Sequence, residues 1–402
     1  VGLLFIDLDR FKNINDSLGH TAGDQILRQT AARLSATVRT DDTVARLGGD
    51  EFVVLLPRVR DERSLVEVAI KLREELLLPY ILEEMPLHLS PSIGIAVYPE
   101  DGEDPSTLIK NADAAMYLAK EKGRNNYQFY TPVLNARTLD RLKLEHDLRQ
   151  ALELRQFELH YQPQIALTGE GATDKHLYGA EALVRWRHPE RGLVPPNHFI
   201  PLAEEIGLII PLGAWVIAEA ARQVTHWQQN GLPEFVVSVN ISALQFHQAG
   251  FLAEVQALMA QAGAKPSSLE LELTESMLMS DMEVSIQVLQ AFRDLNYRIA
   301  IDDFGTGFSC LNYLRRLPSN TLKIDQSFVR DMQTDSASLA IVSSIIRLAD
   351  SLGMDTIAEG VETAEELALL EQQGCRLMQG YHFSKPLPPA QFEDWVSKWK
   401  GA

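Results

Sequence analysis

The sequence predicts two domains of different fold class: an α+β layer domain over residues 1–130 and an α/β barrel of the (β/α)8 type over residues 145–402. A chain of 402 residues is long enough for two or three domains. In the first part, paired apolar strand patterns are mixed with helices, which favours an α+β layer fold. From about residue 157, strand and helix patterns alternate. Eight such strands in roughly 250 residues fit a TIM-like barrel.

The first part begins with an apolar strand and continues with helices and further strands. The strand segments read GLLFIDLD, TVARLGGDEFVVLLP, LSPSIGIAVYP and NYQFY. Helices are predicted over 23–38, 62–77 and 105–122. The second segment contains two glycines before two acids. This composition is typical of a hairpin turn, because glycine adopts the positive φ that tight turns need.

Residues 131–156 are predicted to form an amphipathic helix, in which residues 131–144 connect the domains and the remainder belongs to the second domain. Its apolar positions are Leu139, Leu142, Leu148 and Leu152. The strands of the second domain read FELHYQPQIAL, LYGAEALVRWRH, FVVSVNIS, LELELTES, YRIAIDDFG, TLKIDQSFV, DTIAEGVE and LMQGYHFSKPL. Helical patterns lie between most of them, for example over 212–230, 247–262, 280–296 and 336–353.

Both parts of the chain are acidic: residues 1–130 have a net charge of −6 and residues 131–402 one of −12, which add to −18. Nonspecific binding to long nucleic acid is therefore not expected. Two cysteines provide neither a disulfide framework nor a cysteine-based zinc site, and they fit a reducing cytoplasm. The apolar run EEIGLIIPLGAWVIAEAA is too short and interrupted to span a membrane. The chain opens inside a strand without a methionine, so we expect a longer parent protein with an upstream sensor or a tether to the inner membrane.

Seven of the eight barrel strands end in a polar or charged residue within an otherwise apolar segment. In chain order these residues are Glu181, Asn240, Glu272, Asp302 with Asp303, Lys323, Glu359 and Gln379. A barrel gathers such strand ends at one mouth, where several carboxylates would repel one another unless cations lay between them. Oxygen ligands without His or Cys favour Mg²⁺ or Mn²⁺. Two such ions suit hydrolysis of a phosphodiester, with Asp302–Asp303 as a bridging pair and Lys323 near the attacking water.

These segments closely resemble the EAL family of cyclic di-GMP phosphodiesterases from about residue 145 to 398. The matching segments are EALVRWRHPERGLVPPNHFIPLAEEIGLI, NIS, ELTES, DDFGTGFSCLNYL, KIDQSFV, AEGVE and QGYHFSKPL. The resemblance implies two metal ions per active site. The implied ligands are Glu181, Asn240, Glu272 and Asp302 for one ion, and Asp303 with the shared Asp302 for the other. By the same resemblance Glu359 and Gln379 complete the site, and Glu181, Lys323 and Glu359 are catalytic, with Lys323 on the water.

Four further residues of the second domain match the family pattern or depart from it. Glu275 matches the glutamate that braces the DDFGTG loop, although an N-cap of the helix in the 280s is an equally good interpretation without the family. Arg185 and Gln162 match positions near the ligand's phosphate and base. Taken alone, Arg185 is more typical of a surface salt bridge. Cys310 stands where the family commonly has serine, which is a conservative difference.

In the first domain, Asp7 ends the opening strand, and Asp50 and Glu51 lie at the tip of the predicted hairpin. These acids are either turn residues in solvent or metal ligands. Carboxylates that meet at neighbouring strand ends can hold two Mg²⁺ for phosphoryl transfer.

Polar residues outside the hairpin allow two interpretations each. Asp24 leads into a helix and could serve as its N-cap. Lys120 and Arg124 are four residues apart, which places both on one helical face suited to a triphosphate. The alternative is a basic helix C-terminus that interacts favourably with the helix dipole.

Together these patterns resemble the GGDEF family of diguanylate cyclases over about residues 1–130, which implies a cyclase-like, palm-like fold. The resemblance implies Asp7 and Asp50 as metal ligands, with Glu51 assisting. It implies that Asn15 and Asp24 bind guanine, and that the phosphates are bound by Lys12, Lys120 and Arg124. The family's DxLTGLxNR segment before the first strand is missing from this chain. The domain is therefore expected to be N-terminally truncated and to lack part of the nucleotide pocket.

Arg39 and Asp42 form an RxxD pair, a pattern that by itself is common by chance. Arg39 lies nine residues before Gly48, and this register matches the family's inhibitory site, where the product binds and slows synthesis. Arginine and carboxylate side chains also suit phosphate groups and guanine edges.

The expected function is turnover of cyclic di-GMP. The barrel is expected to hydrolyse it to linear pGpG, while the first domain binds GTP as a regulator or as a second enzyme, a diguanylate cyclase. Two alternatives are a cyclase with a weak barrel and a non-catalytic receptor for cyclic di-GMP. A receptor should have lost metal ligands, and the barrel has lost none. The resemblance also implies a homodimer that forms through the barrel helices.

Overall fold

The computed structural model describes residues 1–59, 61–82, 85–168, 174–279, 281–305 and 314–399. The chain divides into two compact units, Val1–Leu144 and Glu145–Ala402. Within the described ranges, no helix combines the length and the apolar character needed to cross a membrane.

The first unit is built on a five-stranded sheet. Its elements are β1 (Gly2–Leu8), α1 (Phe11–Leu18), α2 (His20–Thr37), β2 (Thr43–Gly48), β3 (Glu51–Leu56), α3 (Glu62–Leu77), β4 (Tyr80–Leu82), β5 (Met85–Leu87), β6 (Pro91–Val97), α4 (Pro105–Glu121) and β7 (Tyr127–Phe129). The strand order is β2–β3–β1–β6–β7, with β1 antiparallel to both neighbours and β7 parallel to β6. The central β1 is buried along its whole length, which explains its unbroken apolar run.

Helices cover both faces of this sheet, which confirms the predicted α+β class. Helices α2 and α3 pack apolar side chains such as Ile26 and Leu72 on one face, and α4 packs Met116 against Phe5 on the other. Asp104 caps the N-terminus of α4, and Pro105 opens the helix. Helix α1 and the short β4–β5 hairpin were not predicted, because neither is long enough to reveal a clear hydrophobic period.

The second unit follows the helix α5 (Pro132–Ala151), which begins in the first unit. Its elements are β8 (Phe157–Thr168), β9 (Asp174–His188), β10 (Gly192–Val194), α6 (Pro196–Glu205), α7 (Ile209–Gln229), β11 (Val236–Asn240), α8 (Ala243–Phe246), α9 (Phe251–Ala262), a 3₁₀ turn (Pro266–Ser268), β12 (Leu269–Thr274), α10 (Glu275–Met279), α11 (Met282–Asp294), β13 (Arg298–Phe304), β14 (Thr321–Ile324), α12 (Gln326–Asp331), α13 (Ser336–Leu352), β15 (Asp355–Ala358), α14 (Ala364–Gln372), β16 (Leu377–Gln379) and α15 (Pro389–Trp399).

Eight strands of this unit, β8, β9 and β11 to β16, close into the predicted barrel. The strands β9 and β11 to β16 pair in parallel. The first strand, β8, runs antiparallel to both of its neighbours, β9 and β16. Residues 169–173 alone connect β8 to β9, which is too short for the crossover helix of a parallel pair. Among the eight described strands that close the barrel, the direction of β8 is therefore the one departure from an all-parallel (β/α)8 arrangement.

The alternation of side chains along each strand separates an apolar outer face from a polar interior. In β12, Leu271 and Leu273 point outward into the core that the barrel shares with its helices, where Trp227 and Phe292 also lie. The intervening Glu272 points into the barrel, as does Lys323 of β14, and each is 1% exposed. The strand pattern therefore places charged side chains inside the barrel.

Candidate active site

The polar residues of neighbouring barrel strands lie side by side because the strands pair in register. Asn240, at the end of β11, is the direct neighbour of Glu272 in β12. Glu181 in β9 pairs with Ser238 of β11, two residues before Asn240. The Asn240 amide Nδ2 donates a hydrogen bond of 2.7 Å to Glu181 Oε1. Side chains from three strands thus meet at the mouth.

The ammonium of Lys323 lies at the centre of the predicted acids. The carboxylate oxygens around its Nζ are Glu359 Oε1 at 2.5 Å, Glu272 Oε2 at 2.8 Å, Asp302 Oδ1 at 3.1 Å and Glu181 Oε2 at 3.8 Å. One positive charge therefore faces four carboxylates in an interior with a low effective dielectric constant. Such a group is stable only if some acids are protonated or if further cations enter.

The pKa values at the mouth reflect this imbalance. Burial alone would lower the pKa of Lys323, but attraction by the four carboxylates outweighs it and raises that pKa well above 10.5. Burial raises the pKa of Glu359 to about 8 and that of Glu272 well above its usual range, although Lys323 opposes both shifts. For Glu181 burial acts in the same direction, but Lys323 and the side-chain amides overcome it and lower the pKa. A proton therefore remains on this group of acids at neutral pH.

A row of glutamine amides supports Glu181 from the side of β8 and β16. The Nε2 of Gln379 donates to Glu181 Oε2 and to Gln162 Oε1, the latter at 3.2 Å. Gln164, which is fully buried, donates from Nε2 to Gln379 Oε1 at 3.1 Å. Gln162 in turn donates to the carbonyl oxygen of Ser384 at 3.1 Å. Gln162 and Gln379 therefore lie together at the mouth.

The loop after β13 starts with an unusual backbone. The pairing of β13 with β14 shifts register between Ile301 and Phe304, and Asp303 has a φ of 53°. A left-handed φ is rare outside glycine, and such strain is typical of functional sites. The Asp303 amide donates to Asp302 Oδ1 at 3.1 Å. Burial and repulsion by Asp302 raise the pKa of Asp303 to about 6.

Glu275 is the first residue of α10 and is 4% exposed. Its Oε2 accepts a hydrogen bond of 3.4 Å from the amide of Gly305. Glu275 therefore contacts the first part of the DDFGTG loop, as the family resemblance implies. The interpretation as the N-cap of the helix in the 280s is wrong, because Asp281 caps that helix. The rest of the loop, residues 306–313 with Cys310, lies outside the described residues.

Arg185 lies further along β9 and is half-buried. Its Nη1 donates to the carbonyl oxygen of Val184 at 2.9 Å, and burial lowers the pKa of its guanidinium. Beside Asn240 there is an apolar slot of about 280 Å³, which the sequence analysis did not foresee. Its polar lining includes Ser242 and Glu204, and burial raises the pKa of Glu204. Leu183 and Ile200 are among its apolar lining residues.

The donor set at the mouth fits a hard divalent cation. Carboxylate and amide oxygens are the ligands that Mg²⁺ and Mn²⁺ prefer. The buried Glu272 Oε1 has no donor within the described part of the chain, so a cation or a proton would satisfy it. No group of three or more acids, histidines or cysteines among the described residues has the spacing to hold an ion as it stands. At the barrel mouth, the ammonium of Lys323 lies among the carboxylates.

In the first unit, the acids also meet at neighbouring strand ends. Asp7 of β1 pairs directly with Glu51 of β3 across the sheet. Lys120 of α4 places its Nζ 2.7 Å from Asp7 Oδ1. Burial raises the pKa of Asp7 to about 6, although Lys120 opposes the shift, and burial together with Asp113 and Asp50 raises the pKa of Glu51. Asp50 lies in the turn between β2 and β3 and Glu51 begins β3, and both side chains are half-buried, so the turn interpretation is correct for Asp50 but incomplete.

The remaining cyclase-like residues lie on helices and on one turn. Lys12 and Asn15 are on α1, and Asp24 is inside α2, which begins at His20, so its interpretation as an N-cap is wrong. Gly23 of α2 leaves space for Asn15, because a Cβ there would lie 2.0 Å from Asn15 Oδ1.

The placement of Lys120 and Arg124 on one helical face is also wrong. Helix α4 ends at Glu121, and Arg124 follows in a turn with a φ of 61°. Lys120 remains in the last helical turn.

Arg39 and Asp42 lie between α2 and β2 on an exposed turn. Asp42 Oδ2 accepts from the backbone amide of Arg39 at 2.8 Å, which keeps the two residues adjacent. Asp41 forms an ion pair of 3.7 Å with Arg58 beside them. Arg39 is exposed, whereas Asp42 is half-buried.

Two buried groups at these sites have no predicted role. Gln164 follows Gln162 by two positions in β8, and this alternation is the signal that both face the barrel interior. Asp9 is 4% exposed and lies two residues after Asp7. The same spacing of two was therefore the signal that Asp9 faces the same side as Asp7. The apolar slot left no such signal, because it combines residues from distant segments.

The fold and site define a two-domain protein: an α+β unit with acids at its hairpin, then a barrel with a ring of acids around a buried lysine. The chain belongs to the EAL domain family, which residues 145–386 match. Residues 1–126 match the family described as diguanylate cyclase, GGDEF domain. The tandem arrangement predicted from the sequence is thus confirmed.

Several curated proteins are similar over nearly the whole chain. The bifunctional diguanylate cyclase/cyclic di-GMP phosphodiesterase MucR of Pseudomonas aeruginosa is 45% identical over 389 residues, which cover 97% of this chain and 56% of MucR. The cyclic di-GMP phosphodiesterase PdeR of Escherichia coli is 41% identical over 399 residues, 99% of this chain and 59% of PdeR. This chain thus spans little more than half the length of these relatives.

A solved structure described as the PaMucR phosphodiesterase in complex with c-di-GMP is similar to the barrel unit. It is 44% identical, with a TM-score of 0.59, and the match covers 62% of this chain and 99% of that one.

Proposed function

We propose that the barrel hydrolyses cyclic di-GMP to linear pGpG with two Mg²⁺ or Mn²⁺ ions. The observation that carries this proposal is the ring of four carboxylates around the buried Lys323, with nearest contacts of 2.5–3.8 Å. A set of oxygen donors with this excess of negative charge suits divalent cations and a phosphodiester. The curated relatives named as phosphodiesterases support the same substrate.

We assign the metal ligands from the family resemblance and the contacts at the mouth. Glu181, Asn240, Glu272 and Asp302 would hold one ion, Asp303 would hold the other with Asp302 shared, and Glu359 and Gln379 would complete the site. Bound there, the ions would supply charge stabilisation at the phosphoryl oxygens and would make water more acidic.

The residues of the chain handle the charge and the proton. Lys323, whose ammonium lies among the four carboxylates, would orient the attacking water or stabilise the phosphoryl oxygens with its positive charge. Glu359, whose Oε1 lies 2.5 Å from Lys323 Nζ at the mouth, would receive the proton of the water in its ionised form, which bound cations would favour. The water oxygen bonds to phosphorus, the bond from phosphorus to the 3′ oxygen breaks, and the 3′ oxygen gains a proton. The product has one 5′-phosphate and one free 3′-hydroxyl.

The surroundings of the mouth suit a guanine dinucleotide. The apolar slot beside Asn240, with a volume of about 280 Å³, could hold one base, and Glu204 at its wall could accept hydrogen bonds from the N–H groups of guanine. Arg185, half-buried on β9, can contact a phosphate. Gln162 lies at the opposite edge, where the resemblance implies a contact with the ligand.

For the first unit we propose GTP binding with divalent metal at Asp7 and Asp50, and with Glu51 assisting. Asn15 and Asp24 would bind guanine. The phosphates would be bound by Lys12, Lys120 and Arg124. Cyclic di-GMP formed there would bind back at Arg39 and Asp42. The unit is a diguanylate cyclase or a GTP-dependent regulator of the barrel, and we propose a homodimer and a cytoplasmic location for both domains.

An assay of cyclic di-GMP hydrolysis tests the barrel proposal. The chain with Mg²⁺ should produce pGpG, Glu181→Gln should abolish the product, and Glu365→Gln on the exposed start of α14 is the matched control that should retain it. Binding of cyclic di-GMP without any pGpG in the parent chain would favour the receptor alternative. Equal activity in Glu181→Gln would contradict the assigned site.

The Glu359→Gln variant separates the two activities, because hydrolysis would otherwise consume any product of a cyclase. Incubated with GTP and Mg²⁺, this variant should accumulate cyclic di-GMP if the first unit is a cyclase. If it forms none, yet GTP changes the rate at which the parent chain hydrolyses cyclic di-GMP, the first unit is a regulator. If the variant forms no cyclic di-GMP and GTP does not change the rate of hydrolysis, the proposed role of GTP is contradicted.

A further inference from the structure

Asp9 holds a buried position that the proposed activities do not explain. It directly follows β1, and its carboxylate collects three donors from distant parts of the first unit. Its Oδ2 accepts from Ser90 Oγ at 2.5 Å and from the Asn125 amide at 3.2 Å, while its Oδ1 accepts from Ser92 Oγ at 2.7 Å. The backbone amide of Asp9 also donates to the carbonyl oxygen of Ser90 at 2.8 Å. The acid thus connects the end of β1 with the turn after α4.

That turn has a strained backbone. Gly123, Arg124 and Asn125 follow one another with φ values of 98°, 61° and 50°. Glycine adopts such angles freely and asparagine tolerates them, but arginine rarely does. A run of left-handed residues persists only where surrounding contacts impose it. Two contacts do so here: Asp9 binds the Asn125 amide, and Asn126 Nδ2 donates to the carbonyl oxygens of Ala119 and Arg124, both at 2.8 Å.

We propose that Asp9 is a positioning residue that fixes this turn, so that Arg124 is held ready for the phosphates of a nucleoside triphosphate. The inference rests on the proposed binding of GTP to the first unit. Its geometric basis is that Asp9 ties the Arg124 turn to the same strand end that carries Asp7, and Lys120 already contacts Asp7 at 2.7 Å. The end of β1, the end of α4 and the turn after it are therefore joined on one side of the proposed phosphate site. Because the backbone of Arg124 is already fixed, this residue loses less conformational entropy on binding a phosphate than it would in a mobile turn.

A carboxylate offers acceptor oxygens to all three partners at once, and the Asn125 amide can only donate. An asparagine at position 9 has a single acceptor oxygen for Ser90, Ser92 and the Asn125 amide, so the contact with the turn competes with the two serine hydroxyls. We expect Asp9→Asn to weaken binding of GTP with Mg²⁺ by about tenfold or more, since a hydrogen bond to a charged group is lost. Lys122→Ala, in the same region but with its Nζ on Gln128 Oε1, is the matched control and should bind GTP like the parent chain.

A suppressor variant separates positioning from general stability. Asn125→Gly makes the left-handed turn intrinsically favourable, so the double variant Asp9→Asn with Asn125→Gly should regain most of the GTP affinity. Arg124→Ala should lose affinity, and Asn125→Gly should not restore it. If Asp9→Asn does not fold, Asn125→Pro removes the same amide and forbids the positive φ at an exposed site, and it should show the same loss of affinity.

Binding of GTP to each folded variant, measured by calorimetry with thermal unfolding in parallel, decides between the outcomes. Parent-like affinity in Asp9→Asn and Asn125→Pro would overturn the inference. So would a loss that Asn125→Gly leaves unrepaired, which would mark Asp9 as a purely structural residue. If the parent chain binds no GTP, both the proposed nucleotide site and this inference are refuted. That result is distinguishable from the two variant outcomes, because in those the parent chain does bind GTP.

Discussion

In the metal-free protein, the free energy of unfolding of the barrel should fall as the pH rises from about 5 to about 8. The cause is Glu359, because burial raises its pKa to about 8 from 4.5. A carboxyl with a raised native pKa keeps a proton that the unfolded chain has already released. Its contribution to stability is complete below pH 4.5 and is lost progressively up to the native pKa. Each pH unit in this window should cost about 1.4 kcal/mol per proton, or about 5 kcal/mol in total.

The other charges at the mouth either act outside this window or add to the same trend. Glu181 has a lowered pKa, so its contribution changes only at more acidic pH, and Lys323 titrates far above the window. Glu272 has a raised pKa and steepens the fall, since the acids titrate as a coupled group. Glu359→Gln removes one titrating site from this coupled group, so the variant's slope should be shallower than that of the parent chain, by at most about 1.4 kcal/mol per pH unit.

Tryptophan fluorescence reports this unfolding selectively. All five tryptophans lie in the second unit: Trp186, Trp215, Trp227, Trp395 and Trp399. Urea titrations with a chelator, at several pH values from 5.5 to 8.5, give the free energy at each pH. Saturating Mg²⁺ should flatten the fall, because the cation replaces the proton among the acids. A flat or rising profile in the chelated parent chain, or an equal slope in Glu359→Gln, would refute the reasoning.

Three further predictions follow from single contacts. Lys323→Met should abolish hydrolysis and lower the metal-free unfolding free energy by about 3–5 kcal/mol, because it removes the counter-charge of buried acids; Mg²⁺ should restore part of that stability in urea titrations. Gly94→Ala should destabilise the first unit by about 2–3 kcal/mol in circular dichroism melts, since its Cβ would lie 1.9 Å from the carbonyl oxygen of Ala112, while cyclic di-GMP hydrolysis should persist. Gly23→Ala should weaken GTP binding by about tenfold, because its Cβ would displace Asn15 and cost a hydrogen bond to the base; unchanged affinity would argue against a guanine contact there.

The strand ends of the barrel were predictable because parallel strands bring their carboxyl ends to one edge. A polar residue after each apolar run was therefore enough to predict that Glu272, Lys323 and Glu359 would meet. The sequence could not predict that Lys323 would occupy the centre of the acids, since this depends on side-chain lengths across the barrel. The antiparallel β8 was also missed, although its short connection to β9 carried the information.

The first unit shows where local pattern fails. The hairpin acids met Asp7 as expected, because antiparallel strands bring their ends together in register. Arg124, in contrast, was predicted to share a helical face with Lys120, but the helix ends at Glu121. Gly123 was the visible signal, since glycine commonly follows a helix C-terminus. The buried Asp9, which fixes that turn through the Asn125 amide, acts over a long sequence separation, and no local period reveals such a contact.

Product analysis of cyclic di-GMP hydrolysis in isotopically labelled water tests the central claim most directly. With Mg²⁺, the chain should convert cyclic di-GMP to pGpG that carries one labelled oxygen in its 5′-phosphate, because water attacks phosphorus and the 3′ oxygen leaves. Chelation of the metal, or Glu181→Gln, should stop the conversion. Tight binding of cyclic di-GMP with no labelled product, or conversion that continues in the chelated protein, would contradict the assignment of the acid ring as a metal-dependent phosphodiesterase.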